Sequence, residues 1–246
     1  MPILKEEQIE KGYFNWDFSY NDNMNPHINR PLSEVREWDG RDYACIACTQ
    51  LIWDNDHIHY TNHEKKRILA EWADFLSTNT KALKGVHFCS SVPQVLLEAV
   101  CCQENLETLH IKWGTFSDWS CLENLKNLKY FSSDGFRAKV SDISPIGKLS
   151  ELVALSLIDY KKFKDLTPLA NLQNLEQLTY FADCTIKDVD FLRQMPNLRD
   201  LRLVVNLEKN YSLCELNTLM LSLTNLRDSS DFFPRLTRKI KKRDVL

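Results

Sequence analysis

From Leu83 onward the hydrophobic residues fall into a repeated phrase, L-x-x-L-x-L, whose first leucine recurs at Leu83, Leu106, Leu128, Leu152, Leu175 and Leu198. The spacings are 23, 22, 24, 23 and 23 residues. The second apolar slot holds Val86, Leu109, Phe131, Leu155, Leu178 and Leu201, and the third holds Phe88, Ile111, Ser133, Leu157, Tyr180 and Leu203. Of these eighteen slots only Ser133 is clearly polar. Alternation over so short a phrase predicts a strand, with the leucines on one side and the x residues on the other. Self-similarity at this period predicts that the strands stack in a solenoid.

The returning segments carry a second pattern. Ile143-Ser144-Pro145-Ile146-Gly147-Lys148-Leu149 matches Leu166-Thr167-Pro168-Leu169-Ala170-Asn171-Leu172, and Asp190-Phe191-Leu192-Arg193-Gln194-Met195-Pro196 is a weaker version. A proline that presets φ among spaced apolar residues predicts a short helical turn on the convex side. Together the two phrases resemble the short leucine-rich repeats, about 22 residues long, of bacterial internalins and of the regulatory subunits of protein phosphatase 1. The resemblance covers residues 83–206. It implies an α/β leucine-rich-repeat solenoid with a parallel concave sheet, no catalysis, and protein binding through the concave strand face. The asparagine that bonds the turn backbone in those families falls eight residues after the first leucine. Here that slot holds Ser91, Gly114, Phe136, Tyr160, Asp183 and Asn206, so an irregular solenoid is expected.

Residues 1–80 do not repeat and read as an enlarged α+β N-terminal cap. Phe14, Trp16, Phe18 and Tyr20 alternate along one predicted strand, and Tyr43 to Trp53 forms a second, buried one. Thr61 and Glu64 fit a capping box that opens an amphipathic helix over about 62–78, with Ile68, Leu69, Trp72, Phe75 and Leu76 on one stripe. Such a cap covers the terminal hydrophobic layer of a solenoid. The repeats are assigned to 81–226, six of them clear and a seventh degenerate, with Leu216-Asn217-Thr218-Leu219-Met220-Leu221 as its strand. Residues 227–246 form a C-terminal cap around Phe232, Phe233 and Pro234, then a basic tail.

Composition narrows function mainly by exclusion. The chain has 246 residues and a net charge of −3, which offers no general attraction for nucleic acid or anionic lipid. The first residues show no apolar run behind a basic stretch and no segment is long enough to span a bilayer, so a cytoplasmic protein without membrane contact is expected. The eight scattered cysteines fit reduced thiols in that setting. Six glycines without a G-x-G leave no phosphate cradle, and no hydrolase elbow or metalloprotease helix is present, so no enzyme, cofactor or small-molecule substrate is expected. The best metal candidate, Cys45 and Cys48 with His57, His59 and His63, fails on geometry: on a strand Cys45 and Cys48 point to opposite faces. No metal site is therefore expected.

Function is placed on the outward strand positions and the loop-side rim. The residues chosen are His87, His110, Lys112, Trp113, Tyr130, Asp134, Ile158, Asp159, Tyr160, Phe181, Asp183 and Arg202. Aromatic groups among charges of both signs are the composition of interface hot spots. Phe136 and Tyr160 have a second reading, as rings that fold back to fill the gaps left by the missing asparagines. The favoured reading is a bacterial immunity or inhibitor protein that occludes a toxin or effector enzyme. An intracellular signalling adaptor or enzyme-regulatory scaffold is the alternative. The second alternative is RNA binding through the six Lys and Arg residues of 235–243.

Overall fold

The computed structural model describes residues 2–11, 31–49 and 60–226. Seven strands form one parallel sheet in chain order: β1 (Tyr43–Ile46), β2 (Gly85–Val92), β3 (Thr108–Gly114), β4 (Tyr130–Asp134), β5 (Ala154–Ile158), β6 (Gln177–Ile186) and β7 (Asp200–Leu207). From β2 on, every strand starts two residues after the first leucine of its phrase. The register keeps the repeats in phase, so Val86, Leu109, Phe131, Leu155, Leu178 and Leu201 form one row of neighbours. All six are essentially inaccessible, as are the six first leucines. A one-residue slip would turn every such row to solvent, which is why a strict period fixes the register.

The polar exception in the pattern is resolved by packing. Ser133 is buried, and its hydroxyl lies 2.6 Å from that of Tyr160. Tyr160 is itself buried and sits in a stack with Trp119 and Phe163, the Tyr160 and Phe163 rings being 5.2 Å apart and nearly parallel. Tyr180 closes the column by donating to the Tyr160 carbonyl at 2.7 Å. Tyr160 thus takes the fold-back role and not a place on the rim. Stacked rings fill the space behind the strands where the expected asparagines are missing.

An asparagine ladder exists nonetheless, one residue before the first leucine of four phrases and again before Leu226. Asn105, Asn127, Asn174, Asn197 and Asn225 each donate to a backbone carbonyl of the preceding turn, those of Lys81, Glu104, Ser150, Gln173 and Pro196. Between Asn105 and Asn197 the one gap is Glu151, and Ala82 stands before Leu83. A second ladder opens the convex turns. The carboxylates of Asp118, Asp142, Asp165 and Asp188 each accept from the backbone N–H two residues on, at 2.8–3.0 Å. These Asx turns lead into 3-10 turns at Ser120–Asn124, Ile146–Lys148, Thr167–Asn171 and Asp190–Gln194.

A short helix, α1 (Glu6–Lys11), precedes the cap, and the ends of the solenoid are closed by longer ones. At the first, α2 (Asn62–Thr78) carries both halves of the Thr61–Glu64 capping box and buries Ile68, Trp72 and Leu76. The Trp72 indole donates to the Ser33 carbonyl at 2.9 Å, which ties residues 31–38 over the first layer. Buried Gln103 accepts from Leu83 N–H and donates to the carbonyls of Leu76 and Asn79, joining α2 to the first repeat. α3 (Gln94–Val100) covers the convex side of that repeat. At the far end, α4 (Leu213–Ser222) replaces the strand expected at Leu216–Leu221. Ser212 and Glu215 form a complete capping box, and Leu216 and Leu219 share the buried face at helical spacing. The seventh strand is β1, at the opposite end of the sheet. The predicted strand at Phe14–Tyr20, the stretch 50–59 with Trp53, His57 and His59, and the C-terminal cap with its basic tail lie outside the described residues.

Candidate functional site

The concave face consists of three rows set by the strand register. The first holds Tyr43, Gly85, Thr108, Tyr130, Ala154, Gln177 and Asp200. Most of this row is covered by the chain itself. The Tyr43 ring lies across Gly85, so closely that a Cβ there would meet it at 2.2 Å. Leu4 and Ile9 are buried against Val153, Ala154 and the half-buried Tyr130. Residues 2–11 are held there by a buried ion pair. The Glu176 carboxylate accepts from the N–H groups of Ile3 and Leu4 and pairs with Arg199 at 2.9 Å. Arg199 donates in turn to the Leu4 carbonyl at 2.8 Å and pairs with Glu6. Tyr130, placed by the sequence among the binding residues, is therefore a partial contact of the N-terminal segment.

The middle row runs through Cys45, His87, His110, Ser132, Ser156, Thr179 and Arg202. Its centre is small and buried, with Ser132 and Ser156 each 6% exposed, so the face is grooved there. Arg202 is held by Asp200 at 3.3 Å. His87 and His110 meet edge to face with ring centroids 4.3 Å apart. Burial holds the His110 imidazole well below the usual histidine range, helped by the positive potential of His87 and Lys112.

The third row, nearest the loop-side rim, is the accessible one. Ile158 and Phe181 are neighbours in the register and are 39% and 36% exposed. Phe136, just beyond β4, is 54% exposed, with the Arg137 guanidinium 5.4 Å over its ring. Lys112 is exposed and its ammonium lies 4.8 Å from the half-buried Trp113 ring. Asp134 accepts from Phe136 N–H at 2.8 Å, yet burial and the nearby Asp159 charge raise its carboxyl above the usual range. Asp159 pairs with Lys161 at 2.9 Å and adopts the left-handed conformation, φ 61, that turns the chain out of β5. Asp183 is exposed. Of the predicted set, the structure brings Lys112, Trp113, Asp134, Ile158, Asp159, Phe181 and Asp183 to this edge, while His87 and Tyr160 are buried.

At the β1 end of the face, sequence reasoning missed a cluster. Ligand atoms of Cys45, His87 and Cys89 all lie within 4.8 Å of one another, and the two sulfurs are 2.8 Å apart. The Cys89 thiol is pushed down, first by the hydrogen bond from Cys45 and further by His87 and Lys112, whereas that bond and burial push Cys45 up. Cys48, two residues beyond the end of β1, is buried in the main core, apart from Cys45. The signal was present in part: His87-x-Cys89 is a period-two pair, which a strand places on one face.

No protein-family model matches the chain, and no curated protein does. Solved structures similar in fold include two internalins of Listeria monocytogenes str. 4b F2365. The first, inlF, is 18% identical over 62% of this chain and 48% of its own, with a TM-score of 0.48. The second, inlC2, is 20% identical over 63% and 72%, with a TM-score of 0.46. A plant peptide hormone receptor, RGFR1 in complex with RGF2, is 19% identical over 63% of this chain and 28% of its own, with a TM-score of 0.46. The matched region thus spans about half the length of inlF. The fold itself rests on the in-phase parallel register: the chain is a leucine-rich-repeat solenoid whose repeats resemble the internalin type.

Proposed function

We propose that this chain is a non-catalytic protein-binding module, an immunity or inhibitor protein that occludes a toxin or effector enzyme in the cytoplasm of a bacterium. The observation that carries the reading is the apolar strip of Phe136, Ile158 and Phe181, exposed at the rim of a concave face that is otherwise polar, small or self-covered. Apolar side chains left exposed in the free chain mark a surface that a partner covers, and aromatic anchors ringed by charge are what hot spots look like. Lys112, Asp134, Asp159, Asp183 and Arg202 surround the strip with both signs of charge and supply orientation and association rate more than affinity. The relatives in fold give secondary support, since one of them is a receptor solved in complex with a peptide hormone.

The test is purification of the full chain from its native host with whatever it binds, followed by an activity assay of the complex. The reading predicts one stoichiometric enzyme whose activity is absent in the complex and returns when the chain is removed. An enzyme that keeps its activity while bound would make the chain a scaffold or adaptor and end the inhibitor reading.

A further inference from the structure

We infer that Cys45, His87 and Cys89 form a binding site for one Zn2+ ion on the concave face. Two thiols and an imidazole are the donor set that this borderline-soft d10 ion takes, and three such donors from one chain leave a fourth position for water or another ligand. They converge here from two adjacent strands, β1 and β2, with their ligand atoms within 4.8 Å of one another. The cluster is separate from the hydrophobic core: among the described residues Cys45 and Cys89 group with Ala47, on the side of the sheet away from the leucines.

The register favours a bridging ion over a bridging bond. Cys45 is paired with His87, so Cys89 lies two residues further along the neighbouring strand. Strands ~4.8 Å apart with a rise of ~3.3 Å per residue put the two Cα atoms ~8 Å apart on that diagonal. A relaxed disulfide has its Cα atoms less than ~7 Å apart, which this ideal diagonal exceeds. Two Zn–S bonds of ~2.3 Å at a tetrahedral angle hold sulfurs ~3.8 Å apart. The sulfurs stand at 2.8 Å, so taking the ion between them requires them to separate by about 1 Å.

The experiment titrates the reduced, metal-stripped full chain with Co2+ and then displaces it with Zn2+. The expected result is one Co2+ per chain, with the visible bands of a tetrahedral ion and thiolate-to-cobalt charge transfer, both lost on adding Zn2+. Cys45→Ser and Cys89→Ser should each weaken binding by at least ~100-fold, since loss of even an outer-shell partner costs 10–100-fold. Cys48→Ser should bind as the unaltered chain does. No tetrahedral spectrum, or an unchanged one in the Cys45→Ser/Cys89→Ser double variant, overturns the site. Should those variants fail to fold, X-ray absorption on the zinc-loaded unaltered chain decides. Two sulfurs at ~2.3 Å and one nitrogen at ~2.0–2.1 Å support the site, and fewer than two sulfurs overturn it.

Discussion

Replacing Glu176 with alanine should release the N-terminal segment from the concave face while leaving the solenoid folded. Glu176 is 2% exposed and is the acceptor for Ile3 N–H, Leu4 N–H and the Arg199 guanidinium. Burial of Leu4 and Ile9 contributes about 1.5–3 kcal/mol each. The three buried charge-assisted bonds that Glu176 and Arg199 make to Ile3 and Leu4 contribute about 1.5–3 kcal/mol apiece, and the Arg199–Glu6 pair, whose carboxylate is largely exposed, about 0–1 kcal/mol. Docking therefore gains about 7.5–16 kcal/mol in all. Against this, ordering the ten residues of 2–11 costs about 10–20 kcal/mol at 1–2 per residue. The two sides balance to within a few kcal/mol, so losing the Glu176 bonds tips the segment off.

Breaking a buried ion pair ordinarily costs about 3–5 kcal/mol, because the surviving charge stays buried and unpaired. Here the charge can escape that fate. Once residues 2–11 leave, Arg199 meets water, so the loss of global stability should stop at about 1–2 kcal/mol. Hydrogen exchange read by mass spectrometry, with urea unfolding beside it, separates the cases. The expected result is free-chain exchange over residues 3–9 and greater labelling around Tyr130, with the urea midpoint lowered by no more than the equivalent of about 1–2 kcal/mol. A segment that stays protected while global stability falls by the full 3–5 kcal/mol would refute this reasoning.

Three further outcomes follow from the ladders and the aromatic column. Glu151→Asn fills the one gap in the asparagine ladder, opposite the Lys126 carbonyl, and should raise the unfolding free energy by about 0.5–1.5 kcal/mol in urea; a neutral result would deny the ladder its energetic role. Tyr160→Phe should cost about 1–3 kcal/mol by stranding the buried Ser133 hydroxyl, and adding Ser133→Ala should recover part of that loss, a coupling that thermal or urea melts of the double-mutant cycle measure. The carboxyls of Asp142 and Asp165 are lowered, chiefly by hydrogen bonds from the Ser144 and Thr167 side chains and then from their backbone N–H groups. Their stabilisation is thus complete above the ordinary carboxylate value of about 3.9 and is lost as pH falls through the lower folded values. Tm measured from pH 5 to 2 should fall less steeply in the Asp142→Ala/Asp165→Ala variant, starting from a lower plateau.

The strand rows were legible because a period near 23 and an alternation of two leave no freedom of register, and Leu83 through Leu203 fall where the phrase puts them. The turn chemistry was half legible. The ladder was sought eight residues after each first leucine, whereas the recurring Asn-Leu pairs at 105, 127, 174, 197 and 225 carry it. Leu216–Leu221 satisfied the strand phrase, but Ser212 and Glu215 satisfied a helix start, and local capping decided the outcome. The remaining features depend on contacts that no local pattern encodes. Ile3 meets Glu176 across 173 positions, and Cys45 meets Cys89 only because β1 joins the sheet edge in register with β2. Hence the face was readable as three rows, while which row stays open was not.

The central claim is that the open row binds a protein. Its most direct test is the affinity of the purified partner for the unaltered chain and for the Ile158→Ala/Phe181→Ala variant, measured by calorimetry, with exposed Leu221→Ala as a control away from the face. The account predicts a loss of at least about 2 kcal/mol, roughly 30-fold in Kd, with the fold intact and the control unchanged. Equal affinity in a folded double variant would contradict it.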